Sequence, residues 1–142
     1  MTKRTGRCMC GSVTYEATFS EARFGTCYCK MCQRWSAGVF MSAPTSGIRY
    51  TAGEDAVTLV RTSDWASRAF CKKCGSNLYY KADEMAHPSV ALGSLDDTSD
   101  LTPRIQFYID KKLESFAVNG ETKTMTEAEC EAFFAPDENP ST

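Results

Sequence analysis

The chain has 142 residues, a formal net charge of -2 and a pI near 5.4, with 42% hydrophobic and 11% aromatic residues. That is the size of one ordinary domain with a real core, which excludes a disordered or fibrous chain. No apolar run approaches the ~18 residues of a membrane helix, and Lys and Arg are scattered, so neither a membrane span nor a nucleic-acid surface is expected.

Met1-Thr2-Lys3-Arg4-Thr5-Gly6-Arg7 is charged and no apolar stretch follows it, so it does not read as a secretory signal and the cytoplasm is the expected compartment. Alternation starts next: Val13, Tyr15, Ala17 and Phe19 share one face of a strand, with Thr14, Glu16 and Thr18 on the other. Further short strands are expected at Gly38–Met41, Ile48–Tyr50, Val57–Val60, Ala69–Phe70, Leu78–Tyr80, Val90–Leu92 and Ile105–Ile109. Turn signals at Pro44, Ser46-Gly47, Gly53-Glu54-Asp55, Gly75-Ser76-Asn77 and Asp96-Asp97 separate them. Many short strands with regular breaks predict a mainly β domain. One helix is expected, over about 126–134: Glu127–Phe134 is rich in helix formers, and Thr126 with Glu129 fits a capping box. Pro136 should stop it, leaving 136–142 as a frayed tail. No repeat or linker interrupts the chain, so a single domain is expected over 1–142.

Cysteine is the informative residue. Eight in a chain read as cytoplasmic, where disulfides are rare, point to metal or catalysis. Seven fall in clusters: Cys8 and Cys10; Cys27, Cys29 and Cys32; Cys71 and Cys74. On an extended strand Cys8 and Cys10 would point the same way and chelate one ion together. The Cys71-x-x-Cys74 pair followed by Gly75 has the form of a tight metal-binding turn. A closed structural zinc takes four ligands and a catalytic one keeps three plus an open position. Seven therefore divide into Cys8, Cys10, Cys71 and Cys74, and Cys27, Cys29 and Cys32. A rival division joins Cys29 and Cys32 to Cys71 and Cys74, and a third has one structural zinc and three free thiols. Spacing alone leaves these open. Cys130 reads as a small core residue on the helix, and His87, before Pro88, as a loop residue.

Three thiolates overcompensate a zinc dication. Such a site favours a soft fourth ligand such as a thiol, held as thiolate at neutral pH, over the generation of hydroxide. That points toward making or breaking carbon–sulfur bonds. Candidate side chains for proton donation or substrate binding are Arg34, Tyr28, Arg68, Asp96 and Asp97. Each has an ordinary structural use as ion pair or turn cap.

The series Cys8-Met9-Cys10-Gly11, Cys27-Tyr28-Cys29-Lys30-Met31-Cys32-Gln33-Arg34, Arg68-Ala69-Phe70-Cys71-Lys72-Lys73-Cys74-Gly75-Ser76 and Gly93-Ser94-Leu95-Asp96-Asp97 resembles the glutathione-dependent formaldehyde-activating enzyme family. The same domain occurs in centromere protein V. The resemblance runs from about Gly6 to Phe116. It implies a β-tent fold of several small coiled antiparallel sheets with a short C-terminal helix. It implies two zinc ions: a structural one at Cys8, Cys10, Cys71 and Cys74, and a catalytic one at Cys27, Cys29 and Cys32. The implied activity is that of a carbon–sulfur lyase condensing glutathione, or a similar thiol, with formaldehyde or another small aldehyde. The alternatives are a non-catalytic thiol carrier and a zinc-stapled interaction module. Two places depart from the family pattern: Tyr28, expected to narrow the mouth of the open site, and Arg104–Tyr108, where a histidine is common.

Overall fold

The computed structural model describes residues 1–135. Expectations for the tail, 136–142, lie outside the described residues. The fold is mostly β, with a short C-terminal helix. Contacts divide the chain into two compact units. One comprises Met1–Phe24 and Met41–Thr102. The other comprises Gly25–Phe40 and Pro103–Thr142, of which 103–135 are described.

The first unit opens with β1 (Thr2–Arg7), β2 (Thr14–Phe19) and, later in the chain, β5 (Gly47–Ala52), in the order β1-β2-β5. β2 is antiparallel to both neighbours, with Gly6 opposite Tyr15 and Tyr15 opposite Tyr50. The alternation read from the sequence is realised: Val13, Tyr15, Ala17 and Phe19 are all buried, while Thr14, Glu16 and Thr18 are half-buried. A second run of strands in this unit has the order β4-β9-β8-β7-β6. These are β4 (Phe40–Pro44, all but its first residue in this unit), β6 (Val57–Arg61), β7 (Ala66–Cys71), β8 (Asn77–Ala82) and β9 (Ser89–Ala91). The pairings β4–β9, β6–β7, β7–β8 and β8–β9 are antiparallel.

Two buried clusters fill this unit. Tyr15, Ala17, Phe19, Ala43, Val90 and Leu95 form one. Cys8, Val13, Ala56, Ala69, Cys71 and Leu78 form the other, with Tyr50 and Tyr79 packed against both. Two of the sequence-predicted ligands are therefore core residues as well.

In the second unit β10 (Thr102–Phe107, all but its first residue in this unit) lies between β3 (Arg23–Cys27, in this unit from Gly25) and β11 (Lys123–Met125). β10 and β11 run parallel, Ile105 opposite Lys123, which departs from the all-antiparallel expectation. The connection between them carries a 3-10 turn at Ile109–Lys111, so β10 ends at Phe107, two residues before the predicted end. The C-terminal helix, α2 (Glu127–Phe134), starts as expected. Thr126 Oγ1 accepts from the Glu129 N–H at 3.2 Å, and Glu129 Oε1 accepts from the Thr126 N–H at 3.3 Å. A second helix, α1 (Lys30–Ser36), was not expected. Gly38 follows it, so β4 begins at Phe40 and not at Gly38.

Candidate metal centres

In the first unit the cysteines come from two turns. Cys8 follows β1, and Cys10 lies in the turn to β2, closed by the Gly11 N–H donating to the Cys8 carbonyl at 3.1 Å. The pair thus sits on a turn and not on a strand. Its sulfurs converge because the turn folds them inward, where the Val13 N–H donates to Cys8 Sγ at 3.3 Å. Cys71 ends β7, and the Gly75 N–H donates to its carbonyl at 2.7 Å, with Gly75 at φ 79° as the tight turn requires. The Met9 N–H donates to Ser76 Oγ at 2.8 Å and ties the two turns together.

The four sulfurs all lie within 4.8 Å of one another. Cys8 to Cys10 is 3.5 Å and Cys10 to Cys71 is 3.9 Å. Zinc at about 2.3 Å from each of four tetrahedral sulfurs would space them by roughly 3.8 Å, so the set fits such an ion. The electrostatics are split. Ser76 holds the Cys74 thiol down to about 5, through its hydroxyl first and its backbone second. Ser12 lowers Cys10 in the same way, whereas burial pushes Cys71 up.

The second group belongs to the second unit. Cys27 ends β3. Cys29 caps α1, its sulfur accepting from the Cys32 N–H at 3.3 Å, and Cys32 lies buried in the first turn. Helix α1 exists because this cap satisfies a free amide of the first turn. Cysteine is not among the usual capping residues, which is why the sequence carried no helix signal here. The three sulfurs lie within 4.8 Å of one another. Cys29 and Cys32, followed by burial, push the Cys27 thiol far above its ordinary range. Negative charge accumulates on such a trio only with a cation present, so the donor set suits a soft metal ion. Three protein sulfurs leave one tetrahedral corner for another ligand. Both groups can hold a metal ion, and the rival pairing of Cys29 and Cys32 with Cys71 and Cys74 is not the grouping found.

The other candidates are placed as follows. Tyr28 is buried, not at a mouth. Its hydroxyl donates to Oε1 of the buried Gln106, whose amide donates to Thr122 Oγ1 at 2.8 Å, and its ring meets Phe116 edge-on at 6.3 Å. An apolar ring with one satisfied polar tip belongs in a core, and Gln106 answers it from the segment where a histidine was noted as common. Arg34 is exposed in the last turn of α1. Arg68 is buried on β7, donating to Thr62 Oγ1 at 2.6 Å with its guanidinium over the Tyr80 ring. Asp96 and Asp97 belong to the first unit. Asp96 accepts from the Thr5 hydroxyl at 2.6 Å, and Asp97 caps a turn by accepting from the Ser99 N–H at 2.9 Å. Cys130 is fully buried on α2, and His87 is exposed in a loop, both as expected.

Sequence reasoning passed over Tyr108, which it placed inside a strand. Its backbone is left-handed, φ 59° and ψ 46°, a conformation uncommon outside glycine and typical of constrained sites. Its phenol is pushed up to about 12, by burial first and then by the charges of Cys130, Cys29 and Cys27. No sequence signal marks a strained tyrosine, although the Asp110-Lys111-Lys112 run after it does indicate a strand end.

Residues 3–111 match the family described as glutathione-dependent formaldehyde-activating enzyme. The chain belongs to that family. A Schizosaccharomyces pombe protein named as an uncharacterized lyase is 25% identical over 127 residues, covering 89% of this chain and 93% of its own length. A crystal structure of a Rhodobacter sphaeroides protein shares the fold at a TM-score of 0.55 and 21% identity, covering 85% of this chain and 99% of that one. Among the described residues of this family member, no helix is long and apolar enough to cross a membrane.

Proposed function

We propose that the protein is a zinc-dependent carbon–sulfur lyase that joins glutathione, or a similar thiol, to formaldehyde or another small aldehyde at Cys27, Cys29 and Cys32. One observation carries the reading: three sulfurs within 4.8 Å of one another, on a strand end and a helix start, with no fourth cysteine in the group. Family membership and the lyase name of the yeast relative support it. The group at Cys8, Cys10, Cys71 and Cys74 is then the closed, structural partner.

Zinc held by Cys27, Cys29 and Cys32 would accept a soft fourth ligand and would keep a thiol deprotonated at neutral pH. In the overall reaction a sulfur–carbon bond forms, the carbonyl π pair moves to oxygen, and the proton lost from sulfur ends on that oxygen. The chain's residues set the conditions. The α1 cap and the Tyr28 N–H, which donates to the Phe107 carbonyl at 3.0 Å, hold the strand end and helix start in place. Gln33 donates to the Lys111 carbonyl at 3.1 Å and fixes the turn after Tyr108. Tyr108 follows the Phe107 carbonyl that receives the Tyr28 N–H, and the charges of Cys29 and Cys27 reach its phenol, which makes it the candidate donor to the product oxygen.

The test is cobalt(II) substitution followed by titration with glutathione. Two cobalt ions per chain, with glutathione altering the visible bands of one only, is the expected result. Exchange of the thiol–aldehyde adduct, followed by NMR, should then exceed the uncatalysed rate, and should fall with Tyr108→Phe. Glutathione binding without any acceleration would leave a carrier in place of an enzyme. One cobalt ion and an unresponsive spectrum would end the reading.

A further inference from the structure

The first unit contains a cleft of about 460 Å³ beside the four-sulfur group, with Cys8 and Met9 in its wall, within the ~300–1,000 Å³ range of small-molecule sites. Its construction follows from β1. Gly6 forms an antiparallel bridge with Leu95, and the Asp96 N–H donates to the Thr5 carbonyl at 3.0 Å. Arg7 and Asp96 are thereby set on two strips of backbone that line one cavity, with Ser76, Asn77 and Ser94 among the other lining residues.

The charges are the informative feature. Arg7 makes no ion pair among the described residues, and neither does Asp96. One oxygen of the Asp96 carboxylate accepts from Thr5 Oγ1 at 2.6 Å, which orients the group and leaves the other oxygen available. The Arg7 guanidinium lies along the β1–β2 turn, its Nη1 3.2 Å from the point where a Cβ on Gly11 would stand. A cation and an anion line the same cleft without meeting. A simple anion there would be repelled by Asp96, and a metal cation by Arg7. A molecule carrying both charges a few bonds apart satisfies both. Met9, 75% exposed, adds apolar surface at the edge, and Gly93 has no heavy atom within 4 Å of its Cβ position, so the wall has room.

We propose that this cleft binds an α-amino carboxylate, its carboxylate on Arg7 and its ammonium on Asp96. The group can come from a free amino acid or from the amino-carboxylate end of a peptide such as a γ-glutamyl thiol. The proposal does not depend on the lyase reading.

The experiment is a titration of the metal-loaded, nitrogen-15-labelled protein, followed by amide shifts. Three probes are used: L-glutamine, S-methylglutathione, whose sulfur is blocked, and N-acetyl-L-glutamine, which lacks the ammonium. Saturable shifts at Arg7, Gly93 and Asp96 with either of the first two are expected, and which one binds identifies the source. N-acetyl-L-glutamine should bind about tenfold more weakly, as should the preferred probe to Arg7→Gln or Asp96→Asn, the scale of one charge-assisted hydrogen bond. Asp96→Asn keeps an acceptor for Thr5, so the fold should hold. Gly93→Leu, which retains both charges but fills the wall, should also block binding and carries the test if a charge variant misfolds. No shifts with either zwitterion, or equal binding of the N-acetyl compound, would overturn the proposal.

Discussion

Gly6 is buried in β1 opposite Tyr15, and its missing side chain is a packing requirement. A Cβ there would stand 2.3 Å from Tyr15 Cζ, 2.4 Å from its hydroxyl oxygen and 2.7 Å from the Ser94 carbonyl. Tyr15 cannot swing aside, because it is fully buried and its hydroxyl is 2.6 Å from Ser94 Oγ. Gly6→Ala should therefore destabilise the fold by about 1–3 kcal/mol, the usual cost of overpacking, measurable by urea unfolding. An unchanged midpoint would mean that β1 gives way easily. Tyr28 makes the converse case. Tyr28→Phe removes the donor to buried Gln106 and strands an acceptor, at about 1–3 kcal/mol, yet it should leave metal content unaltered by elemental analysis. Loss of metal instead would put Tyr28 back at the site. Tyr28 shows where reading a sequence fails at this scale: its place between two cysteines suggested exposure at the site, but residues adjacent in sequence alternate in direction, and Tyr28 points into the core. The cysteines themselves were legible, because their clustering is chemical and does not depend on direction.

At the scale of elements, β2 and α2 were legible from periodicity and capping chemistry, since both signals are local. Helix α1 was not, because its start is written in cysteines of the three-sulfur group. Cys29 serves at once as N-cap and as a member of the three-sulfur group, and the first turn carries no acidic residue to announce it. The double role is separable by experiment. Serine caps a helix at least as well as cysteine but is a poor ligand for a soft ion. Cys29→Ser should keep the circular dichroism and thermal midpoint close to wild type, while bound metal falls by one ion per chain and the proposed thiol–aldehyde activity is lost. A variant that kept two ions would show that Cys29 is a cap and nothing more. The parallel β10–β11 pair was also illegible, because strand direction depends on the path of the connection and not on the strand residues.

For the whole chain, the closed cysteine group is the feature that joins distant sequence. Cys10 and Cys71 sulfurs, 61 positions apart, lie 3.9 Å from each other, and Cys8 and Cys71 are 1% and 0% exposed within the cluster that holds Val13, Ala56, Ala69 and Leu78. The pairing of these turns was one of several divisions that spacing allowed, and only folding of β1 and β7 into one unit selects it. An ion bound to that group binds the folded chain and not the unfolded one, so its binding energy adds to stability. Removing it leaves buried Cys71 with a thiol that burial already keeps from ionising, and a core side with nothing holding the two turns. Full demetallation with a strong chelator should therefore lower the thermal midpoint, by roughly several kcal/mol of stability on the scale of structural zinc sites. Cys71→Ser should start near that lowered midpoint and respond little to the chelator. Cys27→Ser, which alters only the open group, should keep most of the wild-type response. If wild type loses both ions with no change in midpoint, the four sulfurs are not the staple of this fold, and the buried clusters around Tyr15 and Leu78 hold it alone.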